Sequence, residues 1–508
     1  MILQAFDPST QSYLPGAFET ATEAVIEQAV QNSVYAFTQY KQTTAVQRAV
    51  FLESIAQEIL ALGDTLLERA VAESGLPLAR ITGERGRTVS QLQLFANILR
   101  EGSYVEAVID TALPERQPLP RAAIRKMRVP IGPVVVFAAS NFPLAFSTAG
   151  GDTVSALAAG NPVLLKAHPS HLGTNALVTT AIERAVKTTG MPNGVFASIV
   201  GDATVGQQLV QHPSVKAVGF TGSYLGGMAV FRAAQARTEP IPVFAEMGSV
   251  NPVLLLPSYL SSHAQQCATQ FATSITQGVG QFCTSPGIFF VPNNADGKTF
   301  VDALQQALSA IPAGTMLNPG ICEHYYVNRN ALQTQPGVQA LFTGDVAQAS
   351  GKGSPALFSV TAKEFVQHAQ MQVEVFGPTA LVVWCDDHTR SQCLEALQGQ
   401  LTGTVMANTQ DLTSYAMDVH LLAEKVGRLI YNGVPTGVEV SYAMVHGGPF
   451  PATTAANSTS VGADAITRFT RVLCWQDCPD AFLPAALQDA NPLHIWRKVD
   501  AQLTQAAL

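Results

Sequence analysis

The chain has 508 residues, 47% of them hydrophobic and only 13% charged, with a net charge of -8. That length and mix suit two or three domains with extensive buried core. No basic cluster or aromatic–basic interleaving occurs, which argues against a nucleic-acid partner.

The N-terminus, MILQAFDPSTQ, has no basic segment and carries Asp7 early, so it does not read as a secretory signal. A cytoplasmic protein is expected. The next hundred residues look helical. Thr20-x-x-Glu23 and Thr44-x-x-Gln47 have capping-box spacing, each ahead of an amphipathic run. RAAIRKMRVP (121–130) looks like an exposed strand that could pair with a late one, RVLCWQ (471–476), at a subunit edge. From residue 131 the texture changes. PVVVFAA (133–139), PVLLKA (162–167), VFASIV (195–200) and VKAVGFTG (215–222) alternate with helix-like stretches near 151–160, 173–188, 203–211 and 225–236. Short apolar runs alternating with helices indicate a parallel sheet with crossover helices. The alternation recurs with PVLLLP (252–257), SPGIFFVP (285–292) and TALVVW (379–384), so two α/β domains are expected, divided near 240–250. Residues 131–165 and 247–295 are almost free of charge, but Pro and Gly interrupt both too often for a membrane helix.

The seven cysteines fit neither a disulfide scaffold nor a zinc site, and no C-x-x-C is present. The ten histidines form no metal motif, so no metal is expected. Cys283, in GVGQFCTSPG, is then either a core thiol or a nucleophile. GKGS (351–354) lacks the spacing of a phosphate loop and reads as a plain loop. FTGS (220–223) puts a Gly-Ser turn between an apolar run and a helix, which suits either a phosphate seat or a structural turn. Asn141, in ASNFP, is a turn residue or an amide aimed at a reacting oxygen. Glu246, in FAEMGSVNP, is a surface carboxylate at a strand end or a buried base.

Taken in order, these pieces resemble the aldehyde dehydrogenase superfamily along essentially the whole chain. Asn141-Phe142-Pro143, Lys166, Phe220-Thr221-Gly222-Ser223, Glu246 with Gly248 and Asn251-Pro252, Gly280-Gln281-Phe282-Cys283, and Glu374-Val375-Phe376-Gly377-Pro378 match that family's motifs. The fold implied is two Rossmann-like parallel-sheet α/β domains plus a small β oligomerisation extension. Residues 1–110 and 131–245 would bind NAD(P), 246–445 would carry the nucleophile, and 111–130 with 466–485 would be oligomerisation strands. The resemblance makes Cys283 the nucleophile, Glu246 the base that activates water, and Asn141 an oxyanion donor. Lys166, Glu374, Ser223 and Phe376 resemble cofactor contacts, together with the rest of the 220–223 turn.

The chain departs from the family at three places. Ser140 stands where many relatives have Trp. Ala167-His168-Pro169-Ser170 replaces the Pro-Ser-Glu of many NAD-preferring relatives, so NADP acceptance is expected, with His168 and Ser170 near the phosphate. The tract NGVPTGVEVSYAMVHGGPFPATTAANSTSVG (432–462) resembles the branch of 2-oxoglutarate semialdehyde (2,5-dioxovalerate) dehydrogenases and luminous-bacteria fatty aldehyde dehydrogenases. The implied substrate is 2-oxoglutarate semialdehyde, ahead of a fatty or aromatic aldehyde. A CoA-acylating enzyme and a catalytically silent member of the fold are the alternatives. A homodimer or homotetramer is implied, with no membrane span.

Overall fold

The computed structural model describes residues 1–345 and 351–508. The chain opens with an antiparallel hairpin, Ile2–Asp7 with Ser12–Glu19, before its first helix. The hairpin corrects the expectation of a helical start. It also displaces the first cap. Thr20 N donates to Met1 O at 2.9 Å and closes the hairpin, so the helix Glu23–Tyr40 is capped by Thr22, whose Oγ1 accepts from Val25 N. The second expected box forms: Thr44 Oγ1 accepts from Gln47 N at 3.1 Å, and Gln47 Oε1 accepts from Thr44 N at 2.8 Å.

Three sheets organise the rest. The first has five strands in the order Phe196–Ile199, Val163–Lys166, Val134–Phe137, Ala217–Thr221, Val243–Glu246, all parallel. Its strands are runs of Val, Leu and Ala because helices cover both faces, leaving no solvent side to alternate towards. The register aligns Lys166, Phe137, Phe220 and Ala245 in one row, with Thr221 opposite Glu246. Every strand therefore delivers its last residues to the same sheet edge, where ligands bind in open α/β sheets.

The second sheet has seven strands in the order Gln339–Thr343, Ala356–Thr361, Thr379–Cys385, Ile288–Pro292, Val253–Leu255, Gln400–Met406, Val426–Tyr431. All pair in parallel except the antiparallel edge strand Gln339–Thr343. In the GKGS stretch, Lys352–Gly353 makes a short antiparallel pair with Gly314–Thr315. In the third sheet Thr470–Gln476 pairs antiparallel with Ile124–Pro130 within the chain, with Arg471 opposite Val129. Val108–Asp110, Arg497–Val499 and Gln502–Thr504 extend it, leaving Thr470–Gln476 as an outer edge. No helix among the described residues is long and apolar enough to cross a membrane.

The loop carrying Cys283 joins the helix Pro257–Thr276 to the strand Ile288–Pro292. Gly280 lies in the left-handed region at φ 66°, and a Cβ there would come within 2.3 Å of the Gly377 carbonyl carbon. Only glycine lets this loop lie against the Phe376–Pro378 backbone. Gly280→Ala should cost at least the ~1–2 kcal/mol of an L-residue in that region, with the clash added. A denaturation midpoint unchanged from wild type would show that the loop can be rebuilt without the glycine.

Candidate active site

Glu246 ends the last strand of the first sheet and is 4% exposed. Cys283 approaches from the second sheet, on a loop that Asn251 holds. The Asn251 amide donates to Cys283 O at 2.8 Å and Ser285 O at 2.9 Å, while its Oδ1 accepts from the hydroxyls of Ser249 and Thr402. Every polar atom of this fully buried side chain is thus used in fixing the cysteine's backbone. Asn141 arrives from the loop after Val134–Phe137, and its amide donates to Gln281 O at 3.1 Å. That bond uses one of its two N–H donors and leaves one free.

A residue the sequence reading passed over joins the first two. His446 Nε2 lies 2.9 Å from Glu246 Oε1 and 3.4 Å from Cys283 Sγ. The nearest donor atoms of the three side chains all fall within 4.8 Å of one another. Ser460 donates from Oγ to Glu246 Oε2 at 2.6 Å, and His446 N donates to Thr459 Oγ1 at 2.8 Å. Burial alone would raise the Glu246 pKa. The charge and hydrogen bond of His446, the Ser460 hydroxyl and the Arg468 charge outweigh it and hold the carboxyl below its ordinary range. Burial pushes the Cys283 thiol well up, and the Glu246 and Glu374 charges add to it, with Arg87 opposing. The resting pair is therefore a neutral thiol beside a carboxylate. The imidazole proton follows from its partners. Nε2 faces a carboxylate and must carry the hydrogen, whereas Nδ1 is buried without a partner.

The expected cofactor residues Lys166, His168, Ser170 and the 220–223 turn gather at the carboxyl ends of the first sheet's strands. Lys166 is buried at its strand end, which lowers its pKa to about 8, opposed by the Asp202 charge. Its Nζ donates to Ala167 O at 3.0 Å, using one of three N–H donors. Ser223 caps the helix Tyr224–Gln235, its Oγ accepting from Gly226 N at 3.2 Å. Phe220 packs on Phe137 at 5.6 Å, and a Cβ on Gly222 would meet its ring at 2.8 Å. His168 Nδ1 accepts from Ser170 N at 3.2 Å, and its ring stacks on His171. Burial drives its pKa well below the ordinary value, with the His171 and Lys166 charges adding, so the ring is neutral at pH 7. Ser170 Oγ accepts from Asn318 Nδ2 at 2.8 Å, which ties it to the second half of the molecule. Glu374 and Phe376 come from that half. A Cβ on Gly248 would lie 2.7 Å from Glu374 Oε2, so the glycine makes room for this carboxylate. Burial raises Glu374 to about 8, with the Ser249 backbone bond opposing and the Glu246 charge adding.

The one sequence signal for His446 was its place in the charge-poor tract 432–462, where AMVHGGPFP sets a lone histidine before two glycines. Nothing in that spacing tied it to residues 163 and 200 positions upstream. The whole-chain comparisons fit this geometry. A relative from Azospirillum brasilense described as alpha-ketoglutaric semialdehyde dehydrogenase 2 is 51% identical over 503 residues, covering 98% of this chain and 96% of its own. An alpha-ketoglutaric semialdehyde dehydrogenase from Acinetobacter baylyi is 46% identical, covering 99% and 95%. The solved structure of the glyceraldehyde-3-phosphate dehydrogenase GapN from Methanocaldococcus jannaschii, complexed with NADP, matches with a TM-score of 0.79 at 17% identity, covering 93% of this chain and 98% of its own; at that identity the likeness is one of fold. With the model described as "Aldehyde dehydrogenase family" matching residues 2–449, the chain belongs to the aldehyde dehydrogenase family and is an oxidoreductase acting on aldehydes.

Proposed function

We propose that this protein oxidises 2-oxoglutarate semialdehyde to 2-oxoglutarate through a thioester on Cys283, with Glu246 as the base. The observation that carries the chemistry is the buried contact of Cys283, His446 and Glu246. The substrate follows from the two relatives at 51% and 46% identity, whose names specify it.

The residues present suit a nicotinamide dinucleotide, the family's NAD(P) cofactor. Lys166 has two unused N–H donors, and the capped helix Tyr224–Gln235 starts at the same sheet edge, presenting a positive end to a pyrophosphate. Lys166, Glu374 and the 220–223 turn would hold the dinucleotide, with Phe376 beside its nicotinamide. When bound, it supplies the acceptor for the hydride that leaves the aldehyde carbon. The chain's own residues do the rest. The thiol proton leaves towards the Glu246–His446 pair, and the thiolate attacks the aldehyde carbon. The free N–H of Asn141 and the Cys283 backbone N–H stabilise the oxyanion. Loss of hydride leaves the thioester. Once that first proton has passed to solvent, Glu246 takes a proton from the water that cleaves the thioester and returns it to the departing thiolate, giving the acid and the free thiol. The carboxylate lies below its ordinary pKa, so it is unprotonated and ready to accept at pH 7.

At position 169 a proline replaces the glutamate that, in NAD-preferring relatives, would bind a ribose 2′-hydroxyl and repel a 2′-phosphate. We read the site as accepting NADP, with Lys166 as the cation and the neutral His168 as a donor through Nε2. The outer edge Thr470–Gln476, where Val472 is 53% exposed, is the surface we assign to a second copy in a homodimer or homotetramer. Light scattering should show the oligomer; a monomer across the working concentration range would remove that assignment.

Three tests address the site. Cys283→Ala should abolish NAD(P)H production from 2-oxoglutarate semialdehyde, which wild type should oxidise in preference to long-chain and aromatic aldehydes. Iodoacetamide should label Cys283 at a rate that climbs with pH, because burial favours the thiol and the thiolate is the reactive form, and loss of activity should follow that label and not the label on the exposed Cys474. Substantial turnover by the alanine variant would refute the nucleophile. Glu246→Gln should retain a burst of reduced cofactor while steady-state turnover falls by ~10²–10⁴; wild-type turnover would place the base elsewhere. Pro169→Glu should shift the ratio of kcat/KM values for the two cofactors towards NAD. A ratio that does not move would show that this turn takes no part in the choice.

A further inference from the structure

The helix Leu78–Glu101 turns a polar face inward, against the loop that carries Asn141. Most of that face is accounted for. Glu84 Oε1 accepts from Leu144 N at 2.8 Å and Ala145 N at 3.0 Å, and Gln91 Oε1 accepts from Gly151 N at 3.3 Å. Arg80 lies over the rings of Phe142 and Phe282 and pairs with Glu84 at 3.4 Å. Arg87 is the exception. Its guanidinium sits 5.5 Å from the Phe142 ring centroid and 5.3 Å from that of Phe146, and its Nε and Nη2 are buried with no hydrogen-bond partner. A buried donor left unpaired costs free energy, so an arrangement with two of them calls for a function.

The chemistry of those two atoms is specific. Nε–H and one Nη2–H point from the same edge of the planar guanidinium, with the spacing of the two oxygens of a carboxylate. The position is also specific. Phe146 stands 6.5 Å, ring to ring, from His446, which touches Cys283. Among the charges around Arg87, Glu84 is already satisfied by backbone amides and Arg80, and Glu439 is exposed. The other buried guanidinium near the cysteine, that of Arg428, donates to Pro435 O and Gly437 O and holds the 435–437 loop.

We propose that Arg87 anchors the carboxylate at the far end of the aldehyde substrate through the Nε–Nη2 edge of its guanidinium. The assignment rests on the reading of the substrate as a semialdehyde that carries an acid group. The aromatic walls of Phe142 and Phe146 would exclude water from the pair and strengthen it, while leaving the aldehyde end free to reach Cys283. Arg87 is thus a specificity-determining residue that takes no part in bond making.

The test compares wild type, Arg87→Lys and Arg87→Gln on 2-oxoglutarate semialdehyde and on pentanal, a neutral aldehyde of equal chain length. The ratio of kcat/KM for the acid over pentanal should fall roughly 10- to 100-fold in Arg87→Gln, chiefly through KM for the acid. Arg87→Lys keeps the charge and the ring contact but not the two-donor edge, so its ratio should fall between the two. In parallel, 2-oxoglutarate should slow alkylation of Cys283 by iodoacetamide in wild type and lose that protection in both variants. If wild type prefers the acid but neither variant changes the ratio or the protection, Arg87 is only packing and the proposal is overturned. If wild type does not prefer the acid to pentanal, the substrate reading itself fails, and the proposal with it. Should Arg87→Gln not fold, the lysine variant and the protection assay decide.

Discussion

A carboxylate buried beside a thiol is the constraint around which the site is arranged. Glu246 is 4% exposed, and transfer of an unpaired carboxylate out of water is costly enough that it would ordinarily take up a proton. Here each of its oxygens has a donor, His446 Nε2 on one and Ser460 Oγ on the other. Those bonds keep it ionised where solvent cannot, and burial, with the charge of Glu246 adding to it, holds the neighbouring thiol protonated until substrate arrives. Breaking either contact would leave a buried charge short of a partner, which is far more damaging than losing a surface pair.

Those donors come from a distant part of the chain. The 446–460 segment lies beyond residues 246–445, yet it is stitched to the end of the first sheet. Met247 N donates to Ala452 O at 2.8 Å, Thr454 N to Ala245 O at 3.0 Å, and Thr453 forms a bridge with Glu246. Behind them Arg468 is paired with the buried Asp152 and adds its field to Glu246. The ionisation of the base is therefore a property of how the 446–460 segment docks on the first sheet, and any change that loosens that segment acts on the chemistry as well as on stability.

The cysteine loop is held with comparable tightness. Asn251 and Val279 both adopt positive φ, 43° and 58°, beside Gly280 at 66°. Such conformations cost about 1–3 kcal/mol each for non-glycine residues and persist where surrounding bonds over-determine them. At Asn251 its side-chain bonds to Cys283, Ser285, Ser249 and Thr402 are that determination. The strain lies in the scaffold, and the thiol it positions is thereby fixed before any ligand binds.

How much of this was legible in the sequence depends on distance along the chain. Local rules sufficed for the parallel strands from 133 to 246 and their crossover helices, because a strand buried on both faces must read as an apolar run. They also marked 124–130 and 470–476 as exposed strands, although the expected subunit-edge pairing forms within the chain, a choice that local rules do not make. The N-terminal hairpin escaped because its strands, such as SYLPGAFE, are mostly solvent-exposed and carry no clear alternation. Cys283, Glu246 and Asn141 could be singled out from motif order, each with a bland alternative that sequence alone left standing. What only the tertiary structure decided was which groups meet: His446 and Ser460 against Glu246, Asn251 against the cysteine backbone, and the Arg87 guanidinium beside two aromatic rings with two donors unpartnered. Such contacts join residues up to about two hundred positions apart, and whether a buried polar atom is satisfied depends on neighbours that no local pattern specifies.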